Sequence, residues 1–328
     1  MLNQLKTPVN DPRPISANIA RFDRAFPGKI ALESARKPLD AAGIGIMLLL
    51  CVVWGLSTVA TKVAGEGISP VTQAAIRSAV AALLLFAWAG LRAIPLFGRD
   101  GTLVPGVLAG LLFGGEFVFM FIGLQWTDAA RMVVFVYLAP CFTAVGLAWF
   151  VPGERMNPRQ WLGVLVAFGG LALAFADSFT SARSTLVGDL FGVIGGMLWA
   201  ATTVLIRASK LSSISAAKTL FYQLGVSAVM LAALALILRE SGVTSLTPRV
   251  MASLAYQCVV IAFASFLAWF WLMTRYLASR LSVFTFLTPL FGVAAGVVLL
   301  GEPMTPVFLG AALLVGGGIY LVNTSGTK

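Results

Sequence analysis

Beyond its first forty residues the chain is apolar in long unbroken runs separated by short polar, Gly- or Pro-containing breaks. Ten runs have about 20 residues, the length that crosses a hydrocarbon core of ~30 Å. They lie near 42–64, 69–90, 103–125, 128–150, 158–176, 186–207, 214–238, 250–274, 279–300 and 305–322. Lipid satisfies no backbone donor or acceptor, and the strict apolar–polar alternation of a barrel strand is absent, so all ten runs are predicted as helices.

The runs repeat. Residues 129–140 (AARMVVFVYLAP) and 278–289 (ASRLSVFTFLTP) agree at Ala, Arg, Val, Phe, Leu and Pro, where apolar composition alone would give about one agreement. Glu154-x-Met156-x-Pro158 with Leu162-Gly163 returns as Glu302-x-Met304-x-Pro306 with Leu309-Gly310, and Trp54, Thr58, Val59 and Lys62 answer Trp199, Thr203, Val204 and Arg207. Each repeat holds five spans, an odd number, so the second must cross in the opposite sense to the first. The expected fold class is therefore an all-α membrane protein of ten transmembrane helices in two inverted five-helix repeats. The expected boundaries are a disordered cytoplasmic tail at 1–40, a first repeat at 42–176 and a second at 186–322. Two halves rocking about a shared interface expose one midplane site to either side in turn, a common plan for secondary transporters.

Charged residues make up 11% of the chain against roughly 25% in a soluble domain, so most of its surface is meant for lipid. The net charge of +10 is a topology signal. With the N-terminus inside, seventeen Lys and Arg fall on the inner side and five on the outer (Lys62, Arg131, Arg183, Arg239 and Arg249), with Arg77 inside a span. That bias directs both termini to the cytoplasm and leaves no reason to invoke a nucleic-acid partner. The tail, with Pro8, Pro12, Pro14, Pro27 and Pro38 among mixed charges, is expected to be unstructured and to lack the form of a signal peptide. Cys51, Cys141 and Cys258 sit in different spans and read as packing residues. There is no histidine, no phosphate-binding G-x-x-x-x-G-K-[ST] loop and no G-x-S-x-G elbow. Neither an enzyme nor a cofactor is expected; the expected partners are a small-molecule substrate and the bilayer.

Two ionisable residues lie well inside the apolar region. Arg77 is eight residues from the outer end of span 2, about 12 Å deep, and Glu116 nine from the outer end of span 3, about 13 Å deep. Charges at such depth are costly and face a partner or a wet cavity. In one reading Arg77 holds a substrate carboxylate while Glu116 takes an ammonium group or a coupling proton; in the other the two close into an ion pair that pins two helices. Their repeat partners, Gln223 and Ser265, are neutral. Trp54, Trp199, Tyr137 and Tyr222 lead the aromatic residues on candidate cavity faces, which include Phe113, Phe117, Phe266, Trp269 and Phe270. Such rings suit a small amphipathic solute with planar or apolar parts. Lys62, Arg131, Arg207 and Arg280, near span ends, either serve the pathway or snorkel to the headgroups. Pro140 and Pro289 are expected to kink spans 4 and 9 as hinges or as fixed bends. The Gly106/Gly110/Gly114, Gly188/Gly192/Gly196 and Gly292/Gly296 rows provide flat faces for close helix packing.

The ten-span layout, Trp54-Gly55 with Lys62 in span 1, Arg77 in span 2, and the Pro-then-Gly-Glu ending of spans 4 and 9 resemble the EamA-type branch of the drug/metabolite transporter superfamily. The resemblance covers about 42–322. It implies an inverted five-plus-five bundle around a central cavity, often in a bacterial inner membrane and commonly exporting amino acids or other small metabolites. The long N-terminal extension and Glu116 depart from that pattern. The expected function is a secondary carrier working by alternating access, most often an exporter of an amino acid or similar metabolite. The alternatives are uptake of a vitamin, nucleoside-like or sugar-derived solute on the same fold, a channel, and a membrane-embedded enzyme.

Overall fold

The computed structural model describes residues 39–127, 129–180, 186–300 and 306–324 of the 328. The ten runs form α1 (Ala41–Ala64), α2 (Pro70–Leu91), α3 (Leu103–Gly123), α4 in two pieces (Ala129–Val136 and Ala139–Phe150), α5 (Pro158–Ala174), α6 (Leu186–Ala208), α7 (Ala216–Ile237), α8 as three consecutive segments (Pro248–Ala255, Tyr256–Ser265 and Phe266–Arg275), α9 in two pieces (Ala278–Phe284 and Leu287–Leu300) and α10 (Pro306–Thr324). Nine are long and apolar enough to cross a membrane. The tenth, α5, has 17 residues, about 26 Å, and a 3-10 turn at Ala176–Thr180 follows it closely. Residues 1–38 and the second motif's Glu302 and Met304 lie outside the described residues. Asp40, which the sequence assigned to the tail, belongs to the first helix: its carboxylate caps α1 by accepting from the Gly43 amide at 2.8 Å, and it also accepts from the Tyr276 hydroxyl.

Local sequence explains where helices begin. Pro70, Pro158, Pro248 and Pro306 each open a helix, a position that needs no amide hydrogen and suits proline's fixed φ. Asn157 and Gln160 form a reciprocal capping box at α5, which satisfies two otherwise orphaned donors. The α2 N-terminus is capped from another helix's end: the Glu240 carboxylate accepts from the amides of Val71 (3.1 Å) and Thr72 (2.8 Å) and from the hydroxyls of Ser69 and Thr72.

The breaks in α4 and α9 fall at equivalent places. Tyr137 and Leu138 interrupt α4 just before Pro140, and Thr285 and Phe286 interrupt α9 just before Pro289. Proline removes one backbone bond and crowds the carbonyl four residues back, so each helix turns on the N-terminal side of its proline.

Packing follows a twofold plan. α1 packs on α8 and α9, and α6 packs on α3 and α4; α2 pairs with α7, and α5 with α10. Replacing each helix by its mate five places on returns the same set, which two five-helix copies in inverted arrangement must do. The result is two lateral bundles, α1/α8/α9 and α3/α4/α6. Glycine rows make the close approaches: a side-chain carbon at Gly106 would meet the Tyr222 ring at 2.5 Å, and Gly110 and Gly114 receive Val226 and Met230 from the same α7 face. The rim is apolar, with Leu83, Leu91, Val229 and Leu313 each more than two-thirds exposed, as a lipid-facing surface requires.

Three of the four cations for which snorkelling was one of two readings are instead held by protein. Arg207 is buried in an ion pair with Glu154, and Arg131 makes a bidentate pair with Asp189 at 2.5 and 2.7 Å. Arg280 is buried as well. In each case a carboxylate or the surrounding protein, not the headgroup layer, surrounds the guanidinium.

Two predictions follow from this packing. A methyl group at Gly318 would meet the Gly163 carbonyl and, at 2.6 Å, the Ala167 amide, whereas Gly317 faces open space. Gly318→Ala should destabilise the protein in detergent by about 1–3 kcal/mol while Gly317→Ala changes the melting temperature little; equal effects would refute the α5–α10 close approach. Burial pushes the Glu240 carboxyl up, but the Thr72 and Val71 amides and the Ser69 and Thr72 hydroxyls outweigh it and hold the group below its ordinary value. A depressed folded-state value stabilises above the unfolded one and is lost as pH falls through it. Glu240→Gln should therefore cost about 1 kcal/mol at neutral pH, the usual worth of a cap, with the two melting curves converging in acid.

Candidate functional site

Arg77 lies on the buried face of α2, in the stripe that also carries Ala74, Ser78, Ala81 and Leu85. It is 9% exposed, and its guanidinium sits over the Phe117 ring at 4.5 Å. Neither its Nε nor its Nη2 has a hydrogen-bond partner. Glu116, one residue before Phe117 on α3, is equally buried and receives no hydrogen bond from a described residue. The two charges act on each other electrostatically but form no ion pair. A cation–π contact offsets only ~0.5–2 kcal/mol of burying a charge, so Arg77 holds unused donor capacity at the level of the bundle's middle.

A wall of aromatic rings runs away from it. Phe117 meets Phe113 edge-on at 5.2 Å, Phe113 meets Phe266 at 5.8 Å, and Phe266 meets Trp54 at 6.4 Å, which in turn meets Trp269 at 5.7 Å. These rings come from α3 on one bundle and from α1 and α8 on the other, so the wall spans both halves. All four contacts are T-shaped, the arrangement that ring quadrupoles favour.

The pseudo-equivalent positions have diverged. The Trp54 indole N–H donates to the Ser265 hydroxyl at 2.8 Å, and Ser265 donates onward to the Ile261 carbonyl at 2.6 Å. Trp199 occupies the matching place in the second half, and the residue matching Ser265 is Glu116. The Glu116 carbonyl packs at Gly195, one turn before Trp199, and the Trp199 ring meets Tyr137 edge-on at 5.4 Å. Tyr137 sits in the α4 break beside Thr288, two residues past the α9 break, and within electrostatic reach of Glu116. Tyr137 of the α4 break thus lies next to the start of the second piece of α9.

The remaining sequence candidates separate. Gln223, the mate of Arg77, is fully buried with neither amide atom bonded. Tyr222 lies away from the rings: it fills the Gly106 notch, its hydroxyl 3.2 Å from that of Thr102, so it serves α3–α7 packing. Lys62 is exposed at the end of α1. Pro140 and Pro289 are buried or half-buried immediately after their breaks. Sequence reasoning did not anticipate the Trp54–Ser265 bond or the π-helical segment Tyr256–Ser265 that delivers it. That segment is held to α1 by Tyr256 donating to the Val53 carbonyl and by Gln257 against Ala60 and Thr61.

A cation with unused hydrogen-bond donors, a carboxylate and a wall of rings are groups that can bind and orient a small solute. Comparison with known proteins agrees in class. The chain is 25% identical over 283 residues to a protein of Salmonella typhimurium (strain LT2) named a probable amino-acid metabolite efflux pump, covering 84% of this chain and 93% of that one. An Escherichia coli (strain K12) protein of the same name is 25% identical over 291 residues, covering 86% and 95%. An uncharacterized transporter of Archaeoglobus fulgidus is 25% identical over 292 residues, covering 85% and 96%. A solved crystal structure shares the fold at TM-score 0.73 and 20% identity, covering 84% of this chain and 94% of its own. The profile of the EamA-like transporter family matches twice, over residues 41–176 and 186–324, and the chain belongs to that family of multi-pass membrane transporters.

Proposed function

We propose that the protein is a secondary carrier that exports an amino acid or a similar small metabolite by alternating access, with both termini on the cytoplasmic side of a bacterial inner membrane. The observation that carries this reading is the buried Arg77 guanidinium, short of partners and set at the end of an aromatic wall beside Glu116. A carboxylate would complete the donors of Arg77, since Arg–carboxylate pairs are among the strongest charge-assisted contacts. Glu116 would receive an ammonium group or a coupling proton, and the rings would cover the apolar part of the solute. The names of the Salmonella and Escherichia relatives support the amino-acid class, and the Lys and Arg asymmetry supports the orientation. The paired interruptions at Pro140 and Pro289 serve as the flexible points at which α4 and α9 tilt.

Counterflow into liposomes bearing the purified chain tests this directly. Saturable exchange of a zwitterionic or carboxylate-bearing metabolite is expected, and ohmic single-channel currents in a planar bilayer, or exchange confined to uncharged sugars, would overturn it. Arg77→Gln, which copies the repeat mate, should raise the KM for a carboxylate solute by at least about tenfold, since a hydrogen bond to a charged group is worth ~1.5–3 kcal/mol. The same variant should still insert. Glu116→Gln should likewise insert but lose transport or its dependence on pH, and unaltered transport across pH would remove Glu116 from the mechanism.

A further inference from the structure

The most deeply buried carboxylate among the described residues is Glu154 rather than Glu116. Glu154, in the connection between α4 and α5, accepts from Arg207 Nη2, from the Ala278 amide (3.0 Å), and from the Ser279 amide (3.0 Å) and hydroxyl (2.6 Å). Arg207 also donates through Nη1 to the Met273 carbonyl at 3.0 Å. The Glu154 and Arg207 side chains are 1% and 2% exposed. Glu154 follows α4 by four residues and Arg207 lies in the last turn of α6, both helices of one lateral bundle, whereas Met273 belongs to α8 and Ala278 and Ser279 to α9, in the other. Four of these five hydrogen bonds therefore cross between the bundles. Leu147, Val151 and Ala278 form an apolar cluster with Val204 and Ala208 at the same end, again drawn from both bundles.

The opposite end differs. Lys62 closes α1 as Arg207 closes α6, yet it is exposed and makes no ion pair with a described residue. The Arg131–Asp189 pair joins α4 to α6 and so stays within one bundle. One end of the molecule is thus joined across its bundles by charge; at the other, Lys62 makes no such pair among the described residues, and Glu302, the mate of Glu154, lies outside them.

A buried ion pair makes poor cement, because most of the attraction is offset by the desolvation of both charges. The same balance makes it a good switch. When the bundles separate, Glu154 loses three donors of α9 but regains water while still beside Arg207, so the closed and open arrangements differ by little. The two arrangements are discrete, as a bistable packed interface requires.

We propose that Glu154, Arg207, the Ala278 and Ser279 amides and the Ser279 hydroxyl form a latch that shuts the chamber at the α4–α5 end, and that its release opens the chamber to that side. The role in transport rests on the carrier reading above; the closure itself does not. The test uses the full chain in liposomes with Thr203→Cys, a buried position on α6 one turn on the chamber side of Arg207. The three native cysteines are buried or half-buried, and the protein lacking the new cysteine supplies their background. A charged, membrane-impermeant maleimide is applied from each side separately. With the latch intact, labelling from the α4–α5 side should be slow. Glu154→Gln should speed it at least about tenfold, the shift expected for losing charge-assisted bonds from a balanced equilibrium. Ser279→Ala, which removes the hydroxyl and keeps both amides, should give a smaller rise on the same side. An unchanged rate in an inserted, monodisperse variant would overturn the latch, as would an equal rise from both sides, the mark of general loosening. If Glu154→Gln does not insert, Ser279→Ala and Arg207→Lys decide by the same criterion. Labelling needs no substrate, so side-specific opening without counterflow would sink the carrier reading alone, and counterflow with unaltered labelling would sink the latch alone.

Discussion

A guanidinium cannot lie unanswered in hydrocarbon, and the structure is organised around where its buried ones find answers. Arg131 and Arg207 are met by Asp189 and Glu154, and each pair fixes the ends of helices that cross far apart in sequence. Arg77 lies over the face of Phe117 and within electrostatic reach of Glu116, and its Nε and Nη2 donors have no hydrogen-bond partner. In a medium where an ion at the helix centre is costly, that difference sets Arg77 apart from the paired guanidinium groups of the scaffold. The same backbone could not have supported either arrangement without continuous helices to satisfy every other polar group.

Close approach of helices does the rest. Lipid gives apolar side chains no reason to leave it for one another, so association depends on contact surface and therefore on small residues. The row from Gly106 to Gly114 takes successive knobs of α7, and Gly163 and Gly318 bring α5 against α10 until backbone meets backbone. These contacts lie along the pseudo-twofold relation, in α2/α7, α5/α10 and their neighbours, and leave the two lateral bundles joined in the middle by rings and at one end by charge.

Most of the fold was legible because length and hydropathy alone mark a span, and because an odd number of crossings in each repeat sends the second copy across in the opposite sense. The prolines of α4 and α9 announced the interruptions, but the break falls on their N-terminal side since the clash is with the carbonyl four residues back. Arg77 and Glu116 stood out as charges at depth. What was hidden were relations between distant segments. Glu154 and Arg207 were visible as repeated residues, yet their partnership joins positions 53 residues apart, and Ser279 joins at 125. Tyr222 and Gln223 were adjacent candidates, but neighbours on a helix point about 100° apart, and Tyr222 went to the Gly106 notch. The π-helical stretch of α8, which bonds to α1 through Tyr256 and Gln257, left no periodic trace in the sequence.

The repeats have kept their shape but not their chemistry. Where one copy carries Arg77 and Glu116, the other carries Gln223 and Ser265, and Ser265 is already engaged by Trp54. In the carrier reading proposed above, a cargo held between two such copies would meet a charged cradle from one and a neutral one from the other, so its affinity would differ between the two orientations of the cycle. That inequality alters how fast cargo is captured on one side and shed on the other. By microscopic reversibility it leaves the final concentration ratio untouched, since affinity lost in one orientation is returned in the equilibrium between orientations. In that reading the divergence of the two copies sets the rates of the cycle and leaves any driving force to the gradients across the membrane.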